Sequence, residues 1–217
     1  TASITLNSDI ITNAGHLTVT CNDNTNGGLR LAKVAGEKIV QNIQANENLS
    51  IDAKDITSAV VVTATADLGT VTVTGAWVAN QGVEVTSSKK TVTLNSDITT
   101  KAGHLTLTCK HNDNGGLRLA KAGKDIVQNI QANENLSIDA KDITSAVVVT
   151  ATADLGTVTV TGAWVANQGV EVTSSKKTVT LNSDIRTKEG HLTLTCKHND
   201  HGGLALAKAA GEKNVQN

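Results

Sequence analysis

Hydrophobic and polar residues alternate in short runs along the chain. In the run LTLTC, Leu105, Leu107 and Cys109 are spaced two residues apart, and Thr106 and Thr108 lie between them. Side chains of a β-strand point alternately to opposite faces, so this pattern predicts a strand with an apolar inward face and a threonine-rich outward face. The run LSIDA follows the same rule, with Leu, Ile and Ala expected inside and Ser and Asp outside.

Runs of this kind recur at short intervals and are bounded by Gly, Asn, Asp and Ser, which favour turns. Most of them start about 9 to 13 residues apart, and one gap of 19 residues around IVQN could contain another short strand. No segment of comparable strength has the periodicity of a helix. The pattern predicts an all-β protein with about eight strands per repeat. The run starts in one repeat are Leu105, Leu117, Leu136, Val147, Val158, Val170 and Val179.

A longer repeat of 87 or 88 residues contains these runs. The phrases LNSDI, GHLT and VQN each occur three times, and residues 42–98 are identical to residues 129–185. Two copies differ by one residue, LAKVAGEKIV against LAKAGKDIV, and such a change is tolerated in a turn but disrupts the register of a strand. We therefore predict a turn between about Lys33 and Lys38. The predicted organisation is one continuous repeat region, residues 1–217, with units at about 1–90 and 91–177 and a partial unit at 178–217.

Two architectures accommodate so many short strands. The first is a right-handed parallel β-helix, or β-solenoid, with coils of about 20–22 residues, about four coils per super-repeat and about ten coils in a rod of about 50 Å. The second is a string of tandem β-sandwich domains. The chain has no Phe, Tyr, Met or Pro and only two Trp. A core of Val, Ile, Leu and Ala suits the stacked ladders of a solenoid better than a sandwich, so the β-helix is favoured.

Charge and hydropathy limit the classes of partner. The chain has 19 basic and 20 acidic residues mixed along its length, and no basic stripe. This balance disfavours nucleic acid and anionic membranes as partners. No apolar run approaches the ~18–20 residues that a membrane-spanning helix needs, so we expect no membrane insertion within this segment.

Cys21, Cys109 and Cys196 occupy equivalent places, one in each repeat. Four coils would separate them by about 19 Å, too far for a disulfide within the chain. Their phase with the neighbouring Leu residues predicts small buried side chains, and the alternatives are a cross-link to another chain or a reactive thiol. Cys109 and Cys196 each precede a His by two residues, but two ligands are too few for a closed zinc site.

The remaining polar motifs have simple structural interpretations. His16, His104 and His191 are expected to point into solvent. The NDNGG sequence at Asn112–Gly116 and its variant at Asn199–Gly203 recur only once per long repeat, unlike the nine-residue calcium-binding repeats of β-rolls. Each is therefore interpreted as a turn, because Asn, Asp and Gly accept positive φ.

Threonine pairs and tryptophans are the surface features that could bind a partner. The pairs Thr-x-Thr begin at Thr18, Thr72, Thr106 and Thr159, and stacked pairs of this kind can form an ice-binding face. Threonine is also a strong β-former at solvent positions, and the uneven spacing predicts scattered pairs. Trp77 and Trp164 either fill a wider corner of the coil, which is favoured, or are exposed contacts for a sugar or another chain.

Three stretches resemble a known family: NIQANENLSIDAKDIT, GHLTLTC and TVTLNSDITTKAG. They are similar to repeats of filamentous haemagglutinin-type exoproteins, from the two-partner-secretion and autotransporter group of bacterial surface proteins. The resemblance covers most of each unit. It implies a long right-handed β-helix, export to the cell surface, and a role in adhesion or as a stalk. The chain differs from the family in carrying one Cys per repeat and in its long, nearly identical super-repeat.

These observations predict a structural or adhesive repeat region of a large bacterial cell-surface or extracellular filament protein. The alternative is a solenoid face that binds ice or a glycan. Expected partners are a host or neighbouring-cell surface, a glycan, or other copies of the chain in a filament, and the expected location is extracellular or at the cell surface. Because no Ser-His-Asp, Cys-His or clustered-acid arrangement recurs, we expect no enzyme activity and no catalytic, cofactor-binding or metal-binding residue.

Overall fold

The computed structural model describes residues 3–21, 28–33, 40–109, 115–122, 127–197 and 202–206. These residues form 22 strands in a single sheet and no helix. Accordingly, no helix in the described ranges is long and apolar enough to cross a membrane. The strands are β1 Ile4–Leu6, β2 Ile10–Ile11, β3 Leu17–Cys21, β4 Gly28–Leu31, β5 Val40–Ala45, β6 Leu49–Ser58, β7 Val61–Ala66, β8 Val71–Ala79, β9 Val83–Ser87, β10 Val92–Leu94, β11 Ile98–Thr100, β12 Leu105–Cys109, β13 Gly116–Leu119, β14 Val127–Ala132, β15 Leu136–Ser145, β16 Val148–Ala153, β17 Val158–Ala166, β18 Val170–Ser174, β19 Val179–Leu181, β20 Ile185–Thr187, β21 Leu192–Cys196 and β22 Leu204–Leu206.

Every strand pair is parallel and joins segments one turn apart, which defines a β-solenoid with three faces. Face 1 begins with β1, face 2 with β2 and face 3 with β3, and each later segment stacks on one of them. For example, β11 lies on the second half of β8, and β14 lies on β11. The prediction of a parallel β-solenoid is confirmed, and the tandem-sandwich alternative is wrong. The right-handed sense of the coil stays a prediction.

The interior is a continuous stack of aliphatic side chains. Leu105, Leu107 and Cys109 are fully buried, and Thr106 and Thr108 between them are half-exposed, as the alternating pattern predicts. Each buried residue lies over its counterpart one turn away: Leu105 pairs with Leu136, and Leu107 with Ile138. Burying such side chains contributes about 25 cal/mol per Å² of apolar surface, so the strand registry and the core are stabilised together.

The two tryptophans point into this core, so the favoured prediction for them is confirmed. Trp77 is 1% exposed, and its Nε1 donates a hydrogen bond to Ser58 Oγ at 3.1 Å. The small side chain of Ala79 lies beside Trp77 on the same face. Trp164 repeats this arrangement with Ser145 in the next repeat. The bulky ring is accommodated in a strand flanked by small residues, and its polar nitrogen is paired.

Two strands in each repeat continue around a corner, so that the first half of the strand lies on one face and the second half on the next. In β8 the corner lies at Gly75, which has φ +116°, and a Cβ there would lie 2.0 Å from the carbonyl oxygen of Ala53. Opposite it, the register of β6 shifts between Asp52 and Asp55, where two residues oppose one. A bulge facing a glycine bends the strand without breaking it.

The length of a turn varies although the stacking does not. Trp77 stacks on Ile56 and Ile130 stacks on Ile98, but the second pair is separated by a considerably longer stretch of chain. The additional residues lie between strands, so the register is kept. Because these longer turns use more of the chain, the described residues form about eight turns, fewer than the ten predicted. At ~4.8 Å per turn, the described part is about 40 Å long.

The predicted strands are all present, with one addition. The gap around IVQN contains β14, the hidden strand that the spacing allowed. A further short strand, β11, begins at the Ile of LNSDI, where no strand was predicted. The turn predicted between Lys33 and Lys38 falls on residues 34–38, outside the described residues.

A super-repeat is not a whole number of turns. Its nine strands, β1 to β9, supply eleven face segments because β6 and β8 each span two faces. Eleven segments on three faces make three and two-thirds turns, instead of the predicted four. Thus β1 lies on face 1, its counterpart β10 on face 3 and β19 on face 2. Each super-repeat is therefore rotated by one face, about 120°, relative to the one before it.

Replacing Trp77 with Ala should destabilise the fold strongly. The change removes a fully buried ring and leaves a cavity between close-packed levels, which costs about 3–5 kcal/mol. Urea unfolding followed by circular dichroism measures this loss. Thr99→Ala, at an outward position on the adjacent level of the same face, is the matched control and should change stability by less than about 1 kcal/mol. Equal losses in both variants would contradict the packing described.

Candidate functional site

The three cysteines lie on three different faces. Cys21 is in β3 on face 3, Cys109 in β12 on face 2 and Cys196 in β21 on face 1. They form no disulfide. The predicted vertical separation of four coils is wrong, because the super-repeat rotates by one face. The predicted inward position is confirmed, since Cys109 pairs with Ala140 and is fully buried.

Burial makes the Cys109 thiol a poor nucleophile. Desolvation raises its pKa to about 11, and the nearby Asp139 carboxylate adds to the rise, while a backbone hydrogen bond at Val92 opposes it. A thiolate is the reactive form of cysteine, and little of it forms near neutral pH at such a pKa. Cys196, near the C-terminal edge, is partly exposed, and its Sγ donates to the Gly203 carbonyl at 3.1 Å.

His16, His104 and His191 are exposed, as predicted. The side chains of His16 and His104 also contact a glutamate of the next turn. His104 Nε2 lies 3.2 Å from Glu134 Oε2, and His104 Nδ1 accepts a hydrogen bond from the Asn135 N–H at 3.3 Å. His16 makes the same pair of contacts with Glu47 and its neighbour. His16 and His104 thus each join two consecutive turns at the corner that directly precedes a strand, β3 and β12 respectively.

No metal-binding cluster is built from these groups in the described part of the chain. A shallow cleft of about 510 Å³ is lined by Glu84, His104 and Glu134. Across the described ranges, no three His, Cys, Asp or Glu side chains converge as a metal site requires. The histidines of the two Cys-x-His motifs, and most of the NDNGG sequences, lie outside those ranges.

The Thr-x-Thr pairs are arranged more regularly than predicted. The pairs at Thr18 and Thr72 both lie on face 3, and those at Thr106 and Thr159 both lie on face 2. In each case one Ser-x-Asp level separates the two pairs. The prediction of scattered pairs is wrong, because insertions between strands change the sequence spacing without changing the stacking.

A polar cluster, which we call the loop clamp, was not predicted from the sequence. Gln128 is fully buried, and its Nε2 donates to the carbonyls of Leu94 at 3.1 Å and Ser96 at 2.9 Å. Its Oε1 accepts from the Lys121 N–H at 3.2 Å. The Nζ of Lys121 lies 2.8 Å from Asp97 Oδ2. Lys121 precedes residues 123–126 and Gln128 follows them, so the clamp joins the described segments on either side.

The first super-repeat contains the same clamp, built from Asp9, Lys33, Gln41 and Asn42. The hydrogen bonds from Lys33 and from the Asn42 N–H hold the pKa of the Asp9 carboxyl below its usual value of 3.8 and outweigh the opposing effect of burial. The carboxylate stays ionised at any pH above that value, and its contribution to stability is lost as the pH falls through the lowered pKa.

The clamp explains why three sequence phrases recur together. Asp97 comes from LNSDI, Lys121 from LAK, and Gln128 from VQN. The recurrence of these phrases was the available signal. Their joint role was hidden because Asp97 is far from the other two side chains in sequence, and the three meet only in the coil.

A further surface feature is a basic groove. Arg118, Val165, Asn167 and Lys188 line a groove of about 270 Å³ at the edge of face 3. Val165 is 40% exposed in its floor. The described residues that line the groove include no acid, so the groove offers a cationic and apolar surface.

Comparison with known protein families, with curated proteins and with solved structures finds no match to this chain.

Replacing Gln128 with Leu should destabilise the protein by about 2–4 kcal/mol, because two carbonyls and one N–H lose their partner in a buried position. Urea unfolding measures the effect. Gln131→Leu is the control, since this side chain is outward and partly exposed and donates its hydrogen bond to Asp154. The clamp has no structural role if both variants unfold at the same urea concentration.

Thiol labelling should distinguish the cysteines. At pH 8 we expect iodoacetamide to modify Cys196 first and Cys109 last, because Cys109 is buried and its pKa is about 11. Peptide mass spectrometry over a time course measures each rate, and unfolding in urea should equalise the rates. A Cys109 rate as fast as that of Cys196 in the folded protein would show that the core opens readily.

Proposed function

We propose that the chain is a structural and adhesive repeat region of a large bacterial cell-surface or extracellular filament protein. The observation that supports this proposal best is the unbroken stacking across the repeat boundary near residue 90. There β10 pairs with β8 of the first repeat and with β13 of its own repeat. Leu94 accordingly lies between Val73 and Leu119, and all three are buried.

Such continuity favours a mechanical role. Tandem domains bend at their linkers, whereas a solenoid has a contact between every turn and its neighbour. The Asn95 N–H donates to the Val73 carbonyl, and the Ala120 N–H donates to the Leu94 carbonyl, both across successive turns. A rod built in this way holds its ends at a fixed distance, which is the property that a stalk or filament needs.

The rotation of the super-repeat favours adhesion by repeated surfaces. Equivalent side chains of successive super-repeats lie on different faces, so an outward motif that is repeated along the chain is displayed in different directions around the rod. For example, Arg30 on face 1 and Arg118 on face 3 are equivalent. A surface displayed in this way meets a partner whatever the rotation of the rod about its axis.

The resemblance to filamentous haemagglutinin-type repeats supports the proposed location outside the cell. The sequence phrases that carry the resemblance form the inward ladders and corners of the structure: the run LSIDA begins β15, and GHLTLTC forms the corner before β12 and that strand. Partners in this proposal are host or neighbouring-cell surfaces, glycans, or other copies of the chain. We propose no enzyme activity.

Between the two alternative functions, the arrangement of the outward face favours ice over a glycan. Both aromatic residues of the chain are buried, so neither Trp77 nor Trp164 can stack on a sugar ring. By contrast, outward threonines on face 2 form an ordered array.

Inserting one additional copy of residues 91–177 tests the rod. Each super-repeat adds eleven segments on three faces, so the particle should lengthen by about 18 Å with no change in width. Small-angle X-ray scattering measures both dimensions. A particle that widens, or that bends at the junction, would contradict a continuous rod.

Adhesion is tested with beads coated with the chain. We expect these beads to bind bacterial or epithelial cells more than beads coated with an unrelated β-rich protein of similar charge. Equal binding by the two kinds of bead would contradict the adhesive role and leave only the structural one.

A further inference from the structure

Face 2 carries a regular array that we call the hydroxyl ladder. It consists of two outward rows over six successive turns, with the rows two residues apart along each strand. Eight of its twelve side chains are Thr, and Ser137 supplies a ninth hydroxyl. The six levels are Thr63 and Thr65, Glu84 and Thr86, Thr106 and Thr108, Ser137 and Asp139, Thr159 and Thr161, and Thr180 and Asn182.

The ladder is a two-dimensional lattice of hydroxyl groups. Parallel in-register pairing sets about 4.8 Å between levels, and alternation along the strand sets about 6.6 Å between rows. Thr is stiff at χ1, so these hydroxyl and methyl groups are held in place. The levels are in register, for example Thr106 with Ser137 and Ser137 with Thr159. Eleven of the twelve side chains are half-buried, and Glu84 is exposed.

The charge and the area of the hydroxyl ladder exclude several kinds of binding partner. The ladder contains two acids, Glu84 and Asp139, and no Lys or Arg, so it does not attract nucleic acid or anionic membranes. Its area is about 480 Å² from six levels and a five-residue strand, below the ~800 Å² per partner of a stable protein interface. A second copy of the chain would therefore dock weakly. The occupant that fits is a periodic solid with hydrogen-bonding groups at similar spacing.

We propose that the hydroxyl ladder of face 2 binds the surface of ice. The threonine hydroxyls hydrogen-bond to lattice waters, and the methyl groups between them order the water that freezes onto the face. The rigid stacking of the solenoid fixes this pattern before binding, so little conformational entropy is lost. This activity is separate from the proposed structural role, and its failure leaves that role unaffected.

The ladder exists only when successive super-repeats are joined. Thr63 and Thr86 come from the first super-repeat, Thr106 and Thr159 from the second, and Thr180 from the third. Because each super-repeat rotates by one face, the counterparts of these levels are divided between two other faces. Some lie on face 3, towards the N-terminal end of the chain, and others lie on face 1, towards its C-terminal end. Face 2 alone carries all six levels within the described part of the chain.

Thermal hysteresis of the purified chain tests the proposal. We expect the wild-type protein to shape ice crystals and to separate the freezing and melting temperatures in a nanolitre osmometer. Thr106→Lys and Thr161→Lys each place a long charged side chain within the ladder and should reduce the hysteresis to less than half of the wild-type value. Circular dichroism and urea unfolding confirm that each variant is folded.

Thr144→Lys is the matched control. Thr144 is an exposed outward residue on face 3, between Arg118 and Val165, so the substitution adds the same charge away from the ladder. Its hysteresis should equal that of the wild type. The proposal is overturned if the wild-type chain shows neither hysteresis nor crystal shaping, or if the ladder variants match the control. Binding to crystalline cellulose without any effect on ice would also overturn it, because the face would then recognise a solid polysaccharide.

Discussion

The parallel pairing of each strand with its counterpart one turn away is the constraint on which the rest of this structure depends. It satisfies the backbone N–H and carbonyl groups along all three faces, and it stacks like residues over like residues. Leu105 over Leu136 and Leu107 over Ile138 are examples. Because the interior is only one side chain deep on each face, it is filled by Val, Ile, Leu and Ala. Large rings fit only beside small residues, as Trp77 does next to Ala79.

The same pairing explains how the chain accommodates irregular segments. A turn can be short, as between Ile56 and Trp77, or long, as between Ile98 and Ile130, provided that the next strand pairs in register. The loop clamp secures this pairing. Gln128 and Lys121 bind the ends of one insertion to the turn below, and the preceding repeat uses its equivalent Gln and Lys in the same way. Buried polar groups are tolerated there because each of them has partners.

The rotation of the super-repeat connects the architecture to function. A unit of a whole number of turns would place each motif on one face and give the rod a single functional side. Three and two-thirds turns distribute the motifs over all faces and bring strands from different super-repeats into one surface. The hydroxyl ladder is such a surface, since no single repeat contains it. Equivalent cysteines are likewise kept on separate faces, in a core where burial raises the pKa of Cys109.

The strands, the direction of their side chains, the repeat and the solenoid class could all be predicted from the amino-acid sequence. Alternation of period two is a local property of the chain, and a core without Phe or Tyr leaves few alternatives to stacked ladders. The number of turns, the face on which each motif lies and the partners of Gln128 became visible in the folded coil. Those features depend on how many residues leave the coil between strands, and sequence spacing does not distinguish residues in a strand from residues in an insertion. For this reason the threonine pairs look scattered along the chain and yet are aligned two by two, on face 3 and on face 2.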